Sequence, residues 1–196
     1  MRNLLLIVGC ALMLGMGWAQ AKPPDAVQRK LTALRQLTEF RLIQLADEYW
    51  HDGAHYKTMA MMFVLIEYDP SDVENISGLA WLLDGYGETA RAIQVYQRGI
   101  RLNPNRYDIY YDLGFAYFNK RQYEQALPYL EKATSFANAP ATAWKTLAHC
   151  YERLGRLEKS LQAWEKAKQL DPNDGAVEPN MQRVRRKLEE ERNNRS

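Results

Sequence analysis

The chain has 196 residues, with 26 lysines and arginines against 24 aspartates and glutamates, and 46% of it is hydrophobic. That near-neutral balance excludes a broad basic face able to neutralise many nucleic-acid phosphates, so no nucleic-acid partner is expected. Two cysteines are too few for a disulfide framework, so the fold must rest on a hydrophobic core, for which the length of one ordinary domain suffices.

Residues 1–21 read as a secretory signal: Arg2 is the charged start, LLLIVGCALMLGMGW the apolar stretch, and Ala19-Gln20-Ala21 an A-x-A cleavage site. The mature chain then begins at Lys22, keeps 25 basic against 24 acidic residues, and retains Cys150 as its one thiol. The expected location is exported, either periplasmic or secreted. The apolar run is short for a membrane span, which takes roughly 17 to 25 residues, so no integral span is expected after cleavage. An uncleaved anchor is the alternative. Ile7-Val8-Gly9-Cys10 resembles a lipoprotein processing site, but Cys10 lies in the middle of the apolar run.

Pro23 and Pro24 lead into a helical stretch, residues 26–50, with Val27, Leu31, Leu34 and Leu37 at helical spacing. It either runs straight on or breaks near Thr38, which could serve as an N-cap. Helix pairs follow: 40–51 with 56–67, 73–84 with 88–102, 107–119 with 123–136, and 141–153 with 157–170. Asp52-Gly53, Gly85-Tyr86-Gly87 and Gly155 mark turns inside pairs, whereas Asp69-Pro70, Asn103-Pro104 and Asp171-Pro172 mark turns between them. A last amphipathic helix covers about residues 176–191, with Val177, Met181, Val184 and Leu188 on one face. Its basic run, Arg183, Arg185, Arg186 and Lys187, precedes Glu189, Glu190 and Glu191 and reads as a solvated helix with charges paired one turn apart.

The pairs are one pattern repeated. Trp144, Leu147, Ala148 and Tyr151 stand at the spacing W-x2-L-G-x2-Y, followed by Ser160, Trp164, Ala167 and Pro172. Steps of 34 residues back give Tyr110, Leu113, Gly114, Tyr117, Ala126, Leu130 and Ala133, then Ile76, Leu79, Ala80, Leu83, Ala92, Tyr96, Gly99 and Pro104. A third step gives Leu42, Leu45, Ala46, Tyr49, Thr58, Met62, Leu65 and Pro70. The chain thus resembles the tetratricopeptide repeat family. The resemblance implies an all-α, right-handed solenoid of four repeats (39–72, 73–106, 107–140, 141–172), with an N-terminal linker and helix at 22–38 and a capping helix and tail at 173–196. Ala46, Ala80, Gly114 and Ala148 would let paired helices approach.

No phosphate loop, H-E-x-x-H, CxxC or G-x-S-x-G is present, so no catalytic residue and no cofactor are expected. His51 and His55 are four apart, but Gly53 between them marks a turn and no third ligand is near, so no metal site is expected. The resemblance implies a concave groove lined by Phe40, Ile43, Asp47, Trp50 and His51, by Glu74, Ser77, Trp81, Asp84 and Gly85, by Asp108, Tyr111, Phe115, Phe118 and Asn119, and by Thr142, Lys145, His149, Glu152 and Arg153. The repeat's own core does not require Trp50, Trp81, Tyr111, Phe115 and Phe118. They are candidate anchors for a peptide or amphipathic helix of a protein partner, or they pack on one another. Lys145, His149 and Arg153 could hold an anionic group. Trp81 beside Asp84, or Phe118 beside Asn119, would allow cell-wall glycan binding instead, and a hydrolase is the remote third reading. On the outer face of the first repeat, Met61, Phe63 and Val64 stand where later repeats are charged, so the N-terminal helix, a second copy or a partner should cover them. That face is the candidate homodimer surface.

Overall fold

The computed structural model describes residues 25–194, which form nine helices and no strand. They are α1 Asp25–His51, α2 His55–Tyr68, α3 Val73–Gly85, α4 Thr89–Leu102, α5 Tyr107–Asn119, α6 Tyr123–Thr134, α7 Ala141–Arg153, α8 Leu157–Leu170 and α9 Val177–Asn193. The expected signal at 1–21 lies outside the described residues. Two units divide the chain, Met1–Phe40 and Arg41–Ser196. The described part of the first is residues 25–40, the opening stretch of α1. Thr38 is an interior helical residue there: its hydroxyl donates to the Leu34 carbonyl at 2.8 Å, so it caps nothing and the helix runs through unbroken.

In the second unit each pair of helices closes on small residues. Ala80, Ala126, Ala148 and Ser160 are completely buried, and the Ser160 hydroxyl donates to the Ala148 carbonyl at 2.8 Å. The same contact recurs in the first repeat, where Thr58 donates to the Ala46 carbonyl at 3.4 Å. A hydroxyl thus replaces the alanine methyl of the other repeats without leaving a buried polar atom unpaired. Around these crossings the large side chains form two cores. One joins α2 to α5 through Met59, Ile76, Leu79, Leu83, Tyr96, Ile109 and Leu113; the other joins α6 to α9 through Leu130, Leu147, Trp164, Val177, Met181 and Val184.

The turns inside pairs share one backbone geometry. Gly53, Gly87 and Gly155 have φ of 69°, 80° and 69°, and Arg121, at the matching place in the third repeat, has φ 59°. This left-handed region costs a residue with a side chain about 1 to 2 kcal/mol, so the third turn is held by its flanking helices. The turn between the second and third pairs uses a buried amide: Asn103 donates to the Pro70 carbonyl at 2.8 Å and to the Gly99 carbonyl at 3.3 Å.

Candidate functional site

Residues 41–51 of α1 and the helices α3, α5 and α7 present matching positions at steps of 34 residues, so the face they share is best described by columns. One column is Asp47, Trp81, Phe115 and His149; another is His51, Gly85, Asn119 and Arg153. Trp81 is 68% exposed, although burying such a ring would be favourable by several kcal/mol. Trp50 and Phe115 are about two-fifths exposed. A mainly apolar pocket of about 480 Å³ is lined by Ile43, Trp50, Met62, Gly78, Trp81 and Leu82, with Asp47, Asp72 and Glu74 also on its wall. A second, of about 370 Å³, lies between Trp81 and Phe115 and includes Ser77, Asp84, Asp112 and Asn119.

The remaining expected anchors are placed differently. Tyr111 is half-buried; its ring stacks on Phe115 at 5.7 Å between centroids and its hydroxyl meets Thr146 at 3.4 Å. Phe118 is half-buried and packs edge-on against Tyr123 of α6 at 5.4 Å, which makes it a margin of the core more than a free ring. Lys145 is likewise not a free cation. Its ammonium is tied to Asp174 at 2.6 Å, fastening α7 to the segment before α9. Asp84 is held by Lys120 at 2.8 Å and accepts from Thr89 at 2.6 Å; burial opposes its ionisation, but these donors outweigh it and keep its carboxyl below the usual range.

Polar rungs connect neighbouring first helices in register. Ser77 donates to Asp112 at 2.5 Å, and one repeat later Tyr111 meets Thr146. Burial raises the Asp112 carboxyl, which Ser77 only partly offsets. Asp112 was not among the expected groove residues, because it stands one place past the face assigned to its helix. At the first joint the corresponding positions are Ile43 and Gly78, and neither can make such a rung. That leaves the larger apolar pocket open.

Two cations of the basic run of α9, expected on a solvated helix face, reach instead to α7. Arg183 makes a two-pronged contact to Glu152 of α7, at 3.0 Å through Nε and 2.7 Å through Nη2, and Lys187 reaches the same carboxylate at 2.8 Å. Burial alone would raise the Glu152 carboxyl, yet these hydrogen bonds hold it at about 2 against an ordinary 4.5. A depressed carboxyl contributes stability that is present above its unfolded value and lost as pH falls toward the folded one. Acid titration of stability between pH 4.5 and 2 should therefore be steeper in the native chain than in Glu152→Gln. At neutral pH the variant should be about 1 to 2 kcal/mol less stable, a figure reduced for the exposure of Arg183 and Lys187. Coincident acid limbs in urea-melt series would show that the bridge contributes nothing.

The Cys150 thiol is buried, donates to the Tyr123 carbonyl at 3.4 Å and is pushed up to about 11 by burial, so it is not a nucleophile at neutral pH. His55 lies between Trp50 and Tyr86, with ring centroids at 4.7 and 5.8 Å, while the His51 ring lies 3.3 Å from Asp47. Among the described residues no group of three or more metal-ligating side chains converges, and no helix is long and apolar enough to cross a membrane. On the outer face Phe63 is half-buried under the Arg91 guanidinium, 5.5 Å from its ring centre, Met61 is half-buried, and Val64 is 43% exposed. An open pocket of about 410 Å³ separates Phe63 from Arg98 and Arg101.

Comparison with known proteins agrees with this geometry. A profile described as TPR repeat matches residues 87–120, and profiles described as tetratricopeptide repeat match 107–140 and 141–174. The general transcriptional corepressor trfA of Dictyostelium discoideum is 26% identical over 106 residues, which are 52% of this chain and 8% of that protein. The chain thus spans under a tenth of the length of this relative. Among solved structures, MamA from Desulfovibrio magneticus RS-1 superposes with a TM-score of 0.63 at 23% identity, covering 77% of this chain and 85% of that one. Pseudomonas aeruginosa PilF gives 0.64 at 20% identity, covering 80% and 71%. YrrB, described as a TPR protein with an unusual peptide-binding site, gives 0.60 at 19% identity, covering 81% and 83%.

Proposed function

We propose that this all-α solenoid, which carries tetratricopeptide repeats across residues 87–174, is a non-catalytic scaffold that holds a peptide or amphipathic helix of a partner protein in its concave groove. The observation that carries the reading is the exposure of Trp81, with Trp50 and Phe115 beside it, around pockets large enough for side-chain anchors. The helix that carries Trp81 buries Val73, Ile76, Leu79, Ala80, Leu82 and Leu83 on its other faces, and a ring left in water beside two apolar-walled pockets suits contact with a partner. YrrB offers an analogy, since its description names a peptide-binding site on the same fold. The A-x-A signal at 19–21 supports export, and with it a place in an envelope assembly or secretion system. A glycan reading would need free carboxylates beside the rings, whereas Asp84 is already held by Lys120 and Thr89.

The double variant Trp81→Ala with Phe115→Ala tests the proposal. Loss of a true anchor costs about 2 kcal/mol or more, roughly thirtyfold in affinity. Affinity capture from a periplasmic extract should therefore lose the partner, while the helical circular-dichroism signal stays and Tm moves by no more than about 4 °C. A folded double variant that still captures the partner at native strength would remove the groove from consideration. Retention of the native chain on peptidoglycan, with no protein captured, would favour the glycan reading.

A further inference from the structure

The 34-residue stride does not stop at α7. Ala143, Leu147 and Cys150, all buried, are succeeded at that distance by Val177, Met181 and Val184, also buried. The same step carries His149 to Arg183 and Arg153 to Lys187. The capping helix is therefore a fifth groove-lining helix, and each column ends on a cation. Trp81 and Phe115 are followed by His149 and Arg183; Asn119 is followed by Arg153 and Lys187.

These groups enclose a polar pocket of about 520 Å³, lined by His149, Glu152, Arg153, Arg183 and Lys187. Three permanent cations face one anion, because Glu152 is firmly ionised, and His149 stays neutral, lowered first by burial and then by Arg183. Glu152 uses only part of the donor capacity around it. Arg183 spends Nε and Nη2 on it and keeps Nη1, and Lys187 spends one of its three N–H donors. Arg153 is exposed and makes no ion pair among the described residues. The uncommitted donors sit on two helices, α7 and α9, that the shared core of Leu147, Trp164, Met181 and Val184 holds in fixed relation.

We infer that this end of the groove is an anion site that receives a carboxylate of the bound partner segment, which is thus apolar toward Trp81 and acidic toward α9. The pocket shows its fitness for carboxylate in the way Arg183 already grips Glu152, through two parallel N–H donors. The complementarity runs along the groove: a mainly apolar pocket rimmed by Asp47, Asp72 and Glu74 at α1 and α3, a mixed one at α3 and α5, and an excess of two positive charges at α7 and α9, the end to which an acidic group is drawn. The inference rests on the scaffold reading for the identity of the ligand as a partner segment, but the site can be measured without any partner.

Glutarate, which carries at each end the carboxylate group of an acidic side chain, is the probe. Titrated at low salt while the His149 ring and Arg Nε resonances are followed by NMR, it should give a saturable shift at His149 and Arg183. Arg153→Gln with Lys187→Gln should weaken that binding at least about tenfold, with Glu152 still held by Arg183 and Tm lowered by no more than about 4 °C for the lost Lys187 contact. Lys57→Gln with Arg101→Gln, an equal loss of charge elsewhere, should leave it intact. No saturable shift in the native chain, or an unchanged affinity in the pocket variant, overturns the site. Tighter binding of inorganic phosphate than of glutarate overturns the carboxylate assignment. Because no partner is present, a failure here is distinct from a failure of the ring variants to lose capture.

Discussion

Gly114→Leu should lower Tm by about 6 to 12 °C, while Asn119→Leu on the same helix should change it by no more than about 2 °C. A Cβ at Gly114 would lie 2.9 Å from the Leu130 Cγ and Cδ2 atoms and 3.2 Å from the Leu130 backbone nitrogen. The side chain of Leu130 could turn aside, but the backbone of α6 could not without the helix moving. Overpacking that moves only side chains costs about 1 to 3 kcal/mol, and a wedge against backbone belongs at or above the top of that range. Asn119 is exposed, so its replacement meets little. Thermal melts followed by circular dichroism decide the matter; coincident curves would mean that the faces of α5 are misassigned. By contrast, a Cβ at Gly78 meets only the Met62 Cε methyl, at 3.0 Å, the far end of a flexible chain.

Trp164→Ala is the second large effect. Trp164 is 1% exposed and packs in the core shared by α7, α8 and α9, with the His149 ring edge-on at 4.8 Å. Truncating a buried tryptophan costs about 3 to 5 kcal/mol, or about 6 to 20 °C of Tm for a chain of this size. The loss should be greatest where α9 is seated, so hydrogen exchange of amides in α9 should accelerate more than that in α3. Its indole N–H is buried with no acceptor, so Trp164→Phe forfeits volume but no hydrogen bond and should recover much of the stability. Uniform acceleration across α3 and α9 would show that the core around Trp164 does not seat α9 in particular.

The period made the helix pairs legible, because Ala80, Gly114 and Ala148 mark crossings that sterics alone dictate. Turns were legible for the same reason, except in the third repeat, where Arg121 takes the left-handed backbone that glycine holds elsewhere. The fate of individual groove side chains was not. Phe118 could be placed on the concave helix but not known to lean on Tyr123, and Lys145 could not be known to reach Asp174, since both contacts join residues at unrelated steps of the repeat. The fifth lining helix is masked in the sequence because Gln182 and Arg185 stand where the motif has a small residue and an aromatic one. Both are exposed, so no paired helix constrains them, and only the buried set Val177, Met181 and Val184 carries the stride onward.

The absent rung between Ile43 and Gly78 bears on stiffness. Joints braced by Ser77 with Asp112, by Tyr111 with Thr146 and by Lys145 with Asp174 resist opening through directional bonds that weaken steeply once stretched or misaligned. At the first joint the lining helices share no such rung; Asn75 of α3 donates to the Met62 carbonyl of α2 at 3.2 Å, and the contact on the groove side is left to dispersion, which yields gradually with separation. A load that spreads the groove therefore concentrates its bending at the α1 and α3 end, where the apolar pocket can widen for a bulky residue while the braced helices beyond keep their spacing.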